Sequence, residues 1–175
     1  MHRIASIPGE DNAPKNLTII EQPYAPVLFL TSANTDISTL SVFLETKEGH
    51  RWKNKIKAVS ISELSHPSQI DHYLATTASK SRIIILRLLG GKAHWSYGIE
   101  KLLNWQEQKS NRELILLAGI SDNELEINGL SSIDYDSTCK LSELLRIGGI
   151  DNISIFFKAI KRLMHGNYKL DDLNV

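Results

Sequence analysis

The chain has 175 residues, 42% of them hydrophobic and 23% charged, a composition that suits one soluble globular domain and leaves little room for two. Its 20 basic and 20 acidic residues cancel, so no overall charge draws it to nucleic acid or to an anionic membrane. No apolar run approaches the ~20 residues of a membrane-spanning helix, and the single cysteine excludes an internal disulfide or a cysteine-cluster metal site.

The opening MHRIASIPGED lacks the apolar stretch of a signal peptide, which predicts a cytoplasmic protein. Residues 2–7 and 17–22 are short strand-like runs joined by a Gly/Asp/Asn/Pro-rich connection, and they predict a hairpin at the domain edge. An apolar run at 27–30 predicts the first core strand. Asn34 and Thr35 then offer helix caps ahead of Ile37, Leu40 and Leu44, which share one face. The basic segment 47–57, KEGHRWKNKIK, predicts a solvated loop running into a second strand at 56–61. His66-Pro67 opens a helix with Ile70, Tyr73, Leu74 and Thr77 on one face and Pro67 in its first turn. A third strand at 83–86 leads through Gly90-Gly91 into a helix striped by Trp95, Ile99, Leu102 and Leu103. A fourth strand lies at 114–117. Two helices close the chain. One follows Asp136, turns Leu141, Leu144 and Leu145 inward and stops at Gly148-Gly149. The other starts near Asp151 and carries Ile153, Phe156, Phe157, Ile160, Leu163 and Met164, the clearest amphipathic pattern in the sequence.

Strands alternating with helices predict a single α/β domain over residues 1–175. It is a three-layer sandwich with a mostly parallel central sheet, flavodoxin-like or Rossmann-like, with the N-terminal hairpin and the two C-terminal helices added. The strand order is expected to reverse between the first and third core strands. Ligands of such sheets bind beyond the carboxyl ends of the strands at that reversal, so a site would draw on the loops 31–35, 62–66, 88–92 and 119–123.

Several side chains near those loops carry chemistry. Gly90-Gly91 reads as a tight turn needing positive φ, or as backbone free to approach a phosphate or carboxylate. Neither G-x-G-x-x-G nor G-x-x-x-x-G-K-[ST] occurs, and H-E-x-x-H, H-x-H and G-x-S-x-G are absent, so no catalytic residue or metal ligand set is predicted. Cys139 reads as a small buried hydrophobe. Arg87 ends a strand of Ile and Leu, where a guanidinium needs a partner: Asp71 or Glu100 in an ion pair, or a ligand. His66 is placed to cap a helix, and His94 falls in the first turn after the glycines. Trp95 belongs to the buried stripe, whereas Tyr97 lies off it and suits a polar contact.

Taken together, residues 66–100 resemble the N-terminal region of the large (CobN-type) subunit of cobaltochelatase and its magnesium-chelatase relatives. That family's pattern reads approximately H-P-x-S-V-D-x-Y, then R-L-L-G-G-x-x-Y-W-x-Y-G-x-E. His66-Pro67, Asp71, Tyr73, Arg87 through Gly91, Trp95, Tyr97-Gly98 and Glu100 match it, while Gln69 replaces the Ser and His94 the Tyr. The resemblance implies the first domain of a much longer subunit that inserts cobalt into a corrin precursor in cobalamin synthesis, or magnesium in chlorophyll synthesis. It also implies a tetrapyrrole substrate and separate AAA+ subunits that hydrolyse ATP, with no cofactor in this domain and no metal insertion by the chain alone. His66, Asp71, Tyr73, Arg87, Gly90, Gly91, His94, Tyr97 and Glu100 form the expected ligand-binding or loop-organising set. A non-catalytic interaction module and an independent small-molecule binder are the alternatives.

Overall fold

Four apolar runs become four parallel strands because each is flanked by helical segments that cover it. The computed structural model describes residues 17–173. The strands are β1 (Val27–Thr31), β2 (Ile56–Ser60), β3 (Ile83–Leu88) and β4 (Glu113–Ala118), in the order β2-β1-β3-β4. The expected reversal between the first and third strands is therefore present.

Helices α1 (Asn34–Glu45), α5 (Tyr135–Ile147) and α6 (Ile150–Met164) lie on one face of the sheet. Helices α2 (Pro67–Ala75) and α3 (Ser96–Glu107), with the short α4 (Glu124–Ile127), lie on the other. The two-residue period of a strand decides which side chain meets which layer. Val27, Phe29, Ile83 and Ile85 face α1, α5 and α6, and Leu28, Leu30, Ile84 and Leu86 face α2 and α3. At α6 the sequence pattern holds: Ile153, Phe156, Phe157, Ile160 and Leu163 are buried, and Phe157 stacks on Phe43 of α1 at 4.9 Å.

Several expectations need correction. Of the expected hairpin, residues 17–22 are irregular rather than a strand, and residues 2–7 lie outside the described residues. Instead the stretch is tied down by side chains: Gln69 Nε2 donates to Thr18 O and Thr77 Oγ1 to Gln22 O. Helix α1 is not capped by Asn34 or Thr35. Its N-cap is Ala33, whose amide donates to Thr31 Oγ1 at 2.9 Å. Helix α5 begins one residue earlier than Asp136, because Asp134 caps it through Ser137 N at 2.8 Å. Within the basic segment, Gly49–Trp52 forms a 3-10 turn that buries Trp52, so this stretch is no loose loop.

Both sheet edges are protected against adding further strands. The outward amides of Leu114, Leu116 and Ala118 on β4 donate to Ser132 Oγ, Ser131 Oγ and Asn128 Oδ1 at 2.8–2.9 Å. At the β2 edge, Gln22 Nε2 donates to Ala58 O. Such side-chain pairing removes the open template that an edge strand otherwise offers.

Candidate functional site

At the carboxyl ends of β1 and β3, Thr31 and Arg87 stand side by side in register. Strand parity puts both on the α1 side, with Val27 and Phe29, Ile83 and Ile85. Arg87 is buried there, and its Nη1 donates to Asp36 in the first turn of α1. Asp36 also accepts from Thr31 Oγ1. Asp71 and Glu100 therefore cannot be the partners of Arg87: they belong to α2 and α3, across the sheet. The ion pair was correctly expected, and its carboxylate was not. Arg87 Nε is buried and unbonded, so the guanidinium is only partly satisfied.

The loops above this pair are stitched together. Ser32 N donates to Arg87 O at 3.0 Å, and Leu89 N to Ser32 Oγ at 2.9 Å. Beside the pair lies a cavity of about 60 Å³ lined by Phe29, Asp36, Leu40, Gly148, Gly149 and Phe156. It has room for a few waters and is far too small for an organic ligand.

On the opposite face the remaining residues of the set do local structural jobs. His66 caps α2: its Nδ1 accepts from Ser68 N at 3.2 Å, while Gln69 Oε1 accepts from His66 N at 3.0 Å. Gln69 thus closes a reciprocal cap in which the N3 residue is a usual one and the N-cap histidine is not. Tyr73 is buried and donates to Gln22 Oε1 at 3.3 Å, and loss of solvation raises its hydroxyl well above the ordinary range. Tyr97 on α3 donates to Asp71 on α2, equidistant at 3.0 Å from both carboxylate oxygens. Loss of solvation, then the hydrogen bond to Asp71 and its charge, raise the Tyr97 hydroxyl, and Lys101 sits 5.2 Å from its ring. Glu100 is exposed.

Gly90 and Gly91 do not adopt positive φ, which among the described glycines belongs to Gly148, Gly149 and Gly166. What surrounds them is side chain. A Cβ on Gly90 would lie 2.7 Å from His94 Nδ1, and one on Gly91 would lie 3.2 Å from Glu126 Oε2. His94 folds back over the turn, with Nδ1 3.3 Å from Gly91 O. Trp95 is core, and its Nε1 donates to Leu64 O at 3.0 Å. Among the described residues no three His, Cys, Asp or Glu side chains converge to hold a metal ion. None of the described helices is long and apolar enough to cross a membrane.

Sequence reasoning missed Asp36 and Thr31, the two residues that complete the buried cluster. The signal was available in strand parity: Arg87 sits two and four residues from Ile85 and Ile83, and the helix after β1 is the one that packs on that face.

The aerobic cobaltochelatase subunit CobN of a Sinorhizobium species is 26% identical over 148 residues, covering 85% of this chain and 11% of that subunit. The chain resembles CobN. The CobN of Pseudomonas aeruginosa is 22% identical over 160 residues, or 91% of the chain and 12% of the subunit. The chain thus spans about a tenth of the length of these curated CobN relatives. No family model matches it, and neither does any solved structure. The CobN likeness extends well beyond residues 66–100 and takes in most of the sheet and its helices.

Proposed function

We propose that the chain is the first domain of a cobaltochelatase large subunit and works as a docking module for the rest of it. In this reading the complete assembly inserts cobalt, its metal substrate, into a corrin precursor of cobalamin. ATP is hydrolysed by separate AAA+ subunits in the cytoplasm. The observation that carries the reading is the match to CobN across 85% and 91% of the chain, set against 11% and 12% of the relatives. A domain that fills a tenth of a large subunit must present a surface to the other nine tenths.

Two features favour docking over binding of the macrocycle at Arg87. The guanidinium is already engaged by Asp36, and the adjacent cavity is too small for a tetrapyrrole. In contrast, the carboxyl edge of the sheet carries an apolar rim of Leu89, Ile120, Leu125, Ile147 and Ile150, all exposed and Leu125 by 82%. These residues are neighbours. A Cβ on Gly119 would lie 2.6 Å from Leu89 Cδ2, and Arg146 pairs with Glu124 to join the end of α5 to α4. An exposed apolar rim of this kind marks an interaction surface.

The test is co-expression with the part of a CobN subunit that lies outside the matched stretch. A stoichiometric complex is expected, lost when Leu125→Asp and Ile147→Asp are combined in an otherwise folded chain. Failure of the wild-type chain to form any complex overturns the reading.

A further inference from the structure

The basic segment and the C-terminal half of α6 together form a recess on the α1 side, apart from the Arg87–Asp36 pair and from the apolar rim. It encloses about 260 Å³ and is lined by Glu48, Arg51, Trp52 and Lys55 from the segment, and by Phe157, Lys158, Lys161, Met164 and His165 from α6 and the residue after it. The floor is apolar and rigid. Trp52 lies 5.0 Å from Phe157, which is stacked between Phe43 and the edge of Phe156.

Four cationic side chains and one carboxylate rim this floor, on a chain whose overall charge is zero. The carboxylate is spoken for. Glu48 accepts from Ser154 Oγ and pairs with Lys158 at 3.4 Å, and these contacts, the serine hydroxyl first, hold it below its ordinary value. Among the described residues no carboxylate lies within ion-pair distance of Arg51, Lys55 or Lys161. The first two of these cations rise from one wall and Lys161 from the other. A concave site with an apolar base and unpaired cations on facing walls selects a ligand with a matching build.

We propose that this recess binds an organic anion whose apolar body carries two or more carboxylates. The apolar body covers Met164 and the small part of Trp52 that reaches the recess, and the carboxylates bridge Arg51 and Lys55 to Lys161. Arginine is suited to the carboxylate end, because its planar fork donates two parallel hydrogen bonds. The site does not depend on the docking role, since it lies away from the carboxyl edge and uses none of the rim residues.

Isothermal titration calorimetry with trimesate, a flat aromatic tricarboxylate, tests the proposal, with pyrophosphate as an anion lacking an apolar body. Saturable trimesate binding is expected, weakening as salt is raised because exposed charges are screened. Pyrophosphate should bind about tenfold more weakly, and Arg51→Gln combined with Lys161→Gln should weaken trimesate by about tenfold or more. Both side chains are exposed, so the variant should keep the wild-type melting temperature. Equal affinity for pyrophosphate would make the recess a bare phosphate patch and overturn the proposed ligand class. Trimesate binding unchanged in the variant, or no saturable binding to the wild type, overturns the site itself.

Discussion

Two residues of the CobN-like signature, Arg87 and Tyr97, each pair with an aspartate, Asp36 and Asp71, and the pairs differ in where the fold puts them. Arg87 and Asp36 lie between the sheet and α1, with side chains only 10% and 11% exposed. Tyr97 and Asp71 tie α2 to α3 at the surface, where water competes for the same hydrogen bonds. In the first pair desolvation dominates, so neither partner tolerates the loss of the other. In the second, either partner can be hydrated when released, and little is at stake. A motif read as one polar set is therefore two sets with different energetic weight.

The largest effect is expected from Asp36→Ala. It strands a buried guanidinium and should cost about 3–5 kcal/mol in chemical denaturation, the usual loss when one member of a buried pair is removed. His66→Ala comes next. Losing the α2 cap should cost about 1 kcal/mol, and Asn in its place should restore most of it. Replacing both members of the buried pair, Arg87→Met with Asp36→Leu, should be close to neutral or stabilising, by up to about 4 kcal/mol, because no charge is left behind. A large loss in that double variant would show that the pair supplies more than mutual compensation. Tyr97→Phe should barely move the melting temperature, and a clear drop would show that the surface pair is coupled to packing between α2 and α3.

The alkaline limb of stability sharpens the contrast further. Tyr73 and Tyr97 both have hydroxyls raised in the folded chain above the ordinary tyrosine value of about 10, chiefly by loss of solvation. Below that value each is protonated whether folded or not, and the full stability is present. Above it the unfolded chain releases protons that the folded chain retains, so stability falls as pH rises past about 10. Most of that slope should vanish in Tyr73→Phe and little of it in Tyr97→Phe, measured as melting temperature against pH. An unchanged slope in Tyr73→Phe would place the titration elsewhere.

Much of the architecture was legible because it rests on local periodicity. The four strands and the buried stripe of α6 follow from apolar spacing that needs no knowledge of the rest of the chain, and the reversal of strand order follows from the doubly wound fold that strand–helix alternation implies. Where reading failed, the competing forces were long-range. Residues 17–22 look strand-like, yet they pack through hydrogen bonds from Gln69 and Thr77, which lie 51 and 55 residues away. Gly90 reads as a φ requirement, yet its φ is not positive, and what a Cβ would meet there is the ring of His94.

The sequence by itself determined the alternating layers, the capping of α2 by His66 and the burial of Trp95. Each depends on neighbours within a few residues or on apolar surface seeking any apolar surface. Only the tertiary structure decided that Arg87 meets Asp36, that the basic segment buries its own Trp52, and that apolar side chains from two loops and three helix ends lie exposed toward the carboxyl edge. The reason is geometric. Hydrophobic pattern fixes which side of an element faces inward, but an ion pair or a recess depends on which other element arrives there.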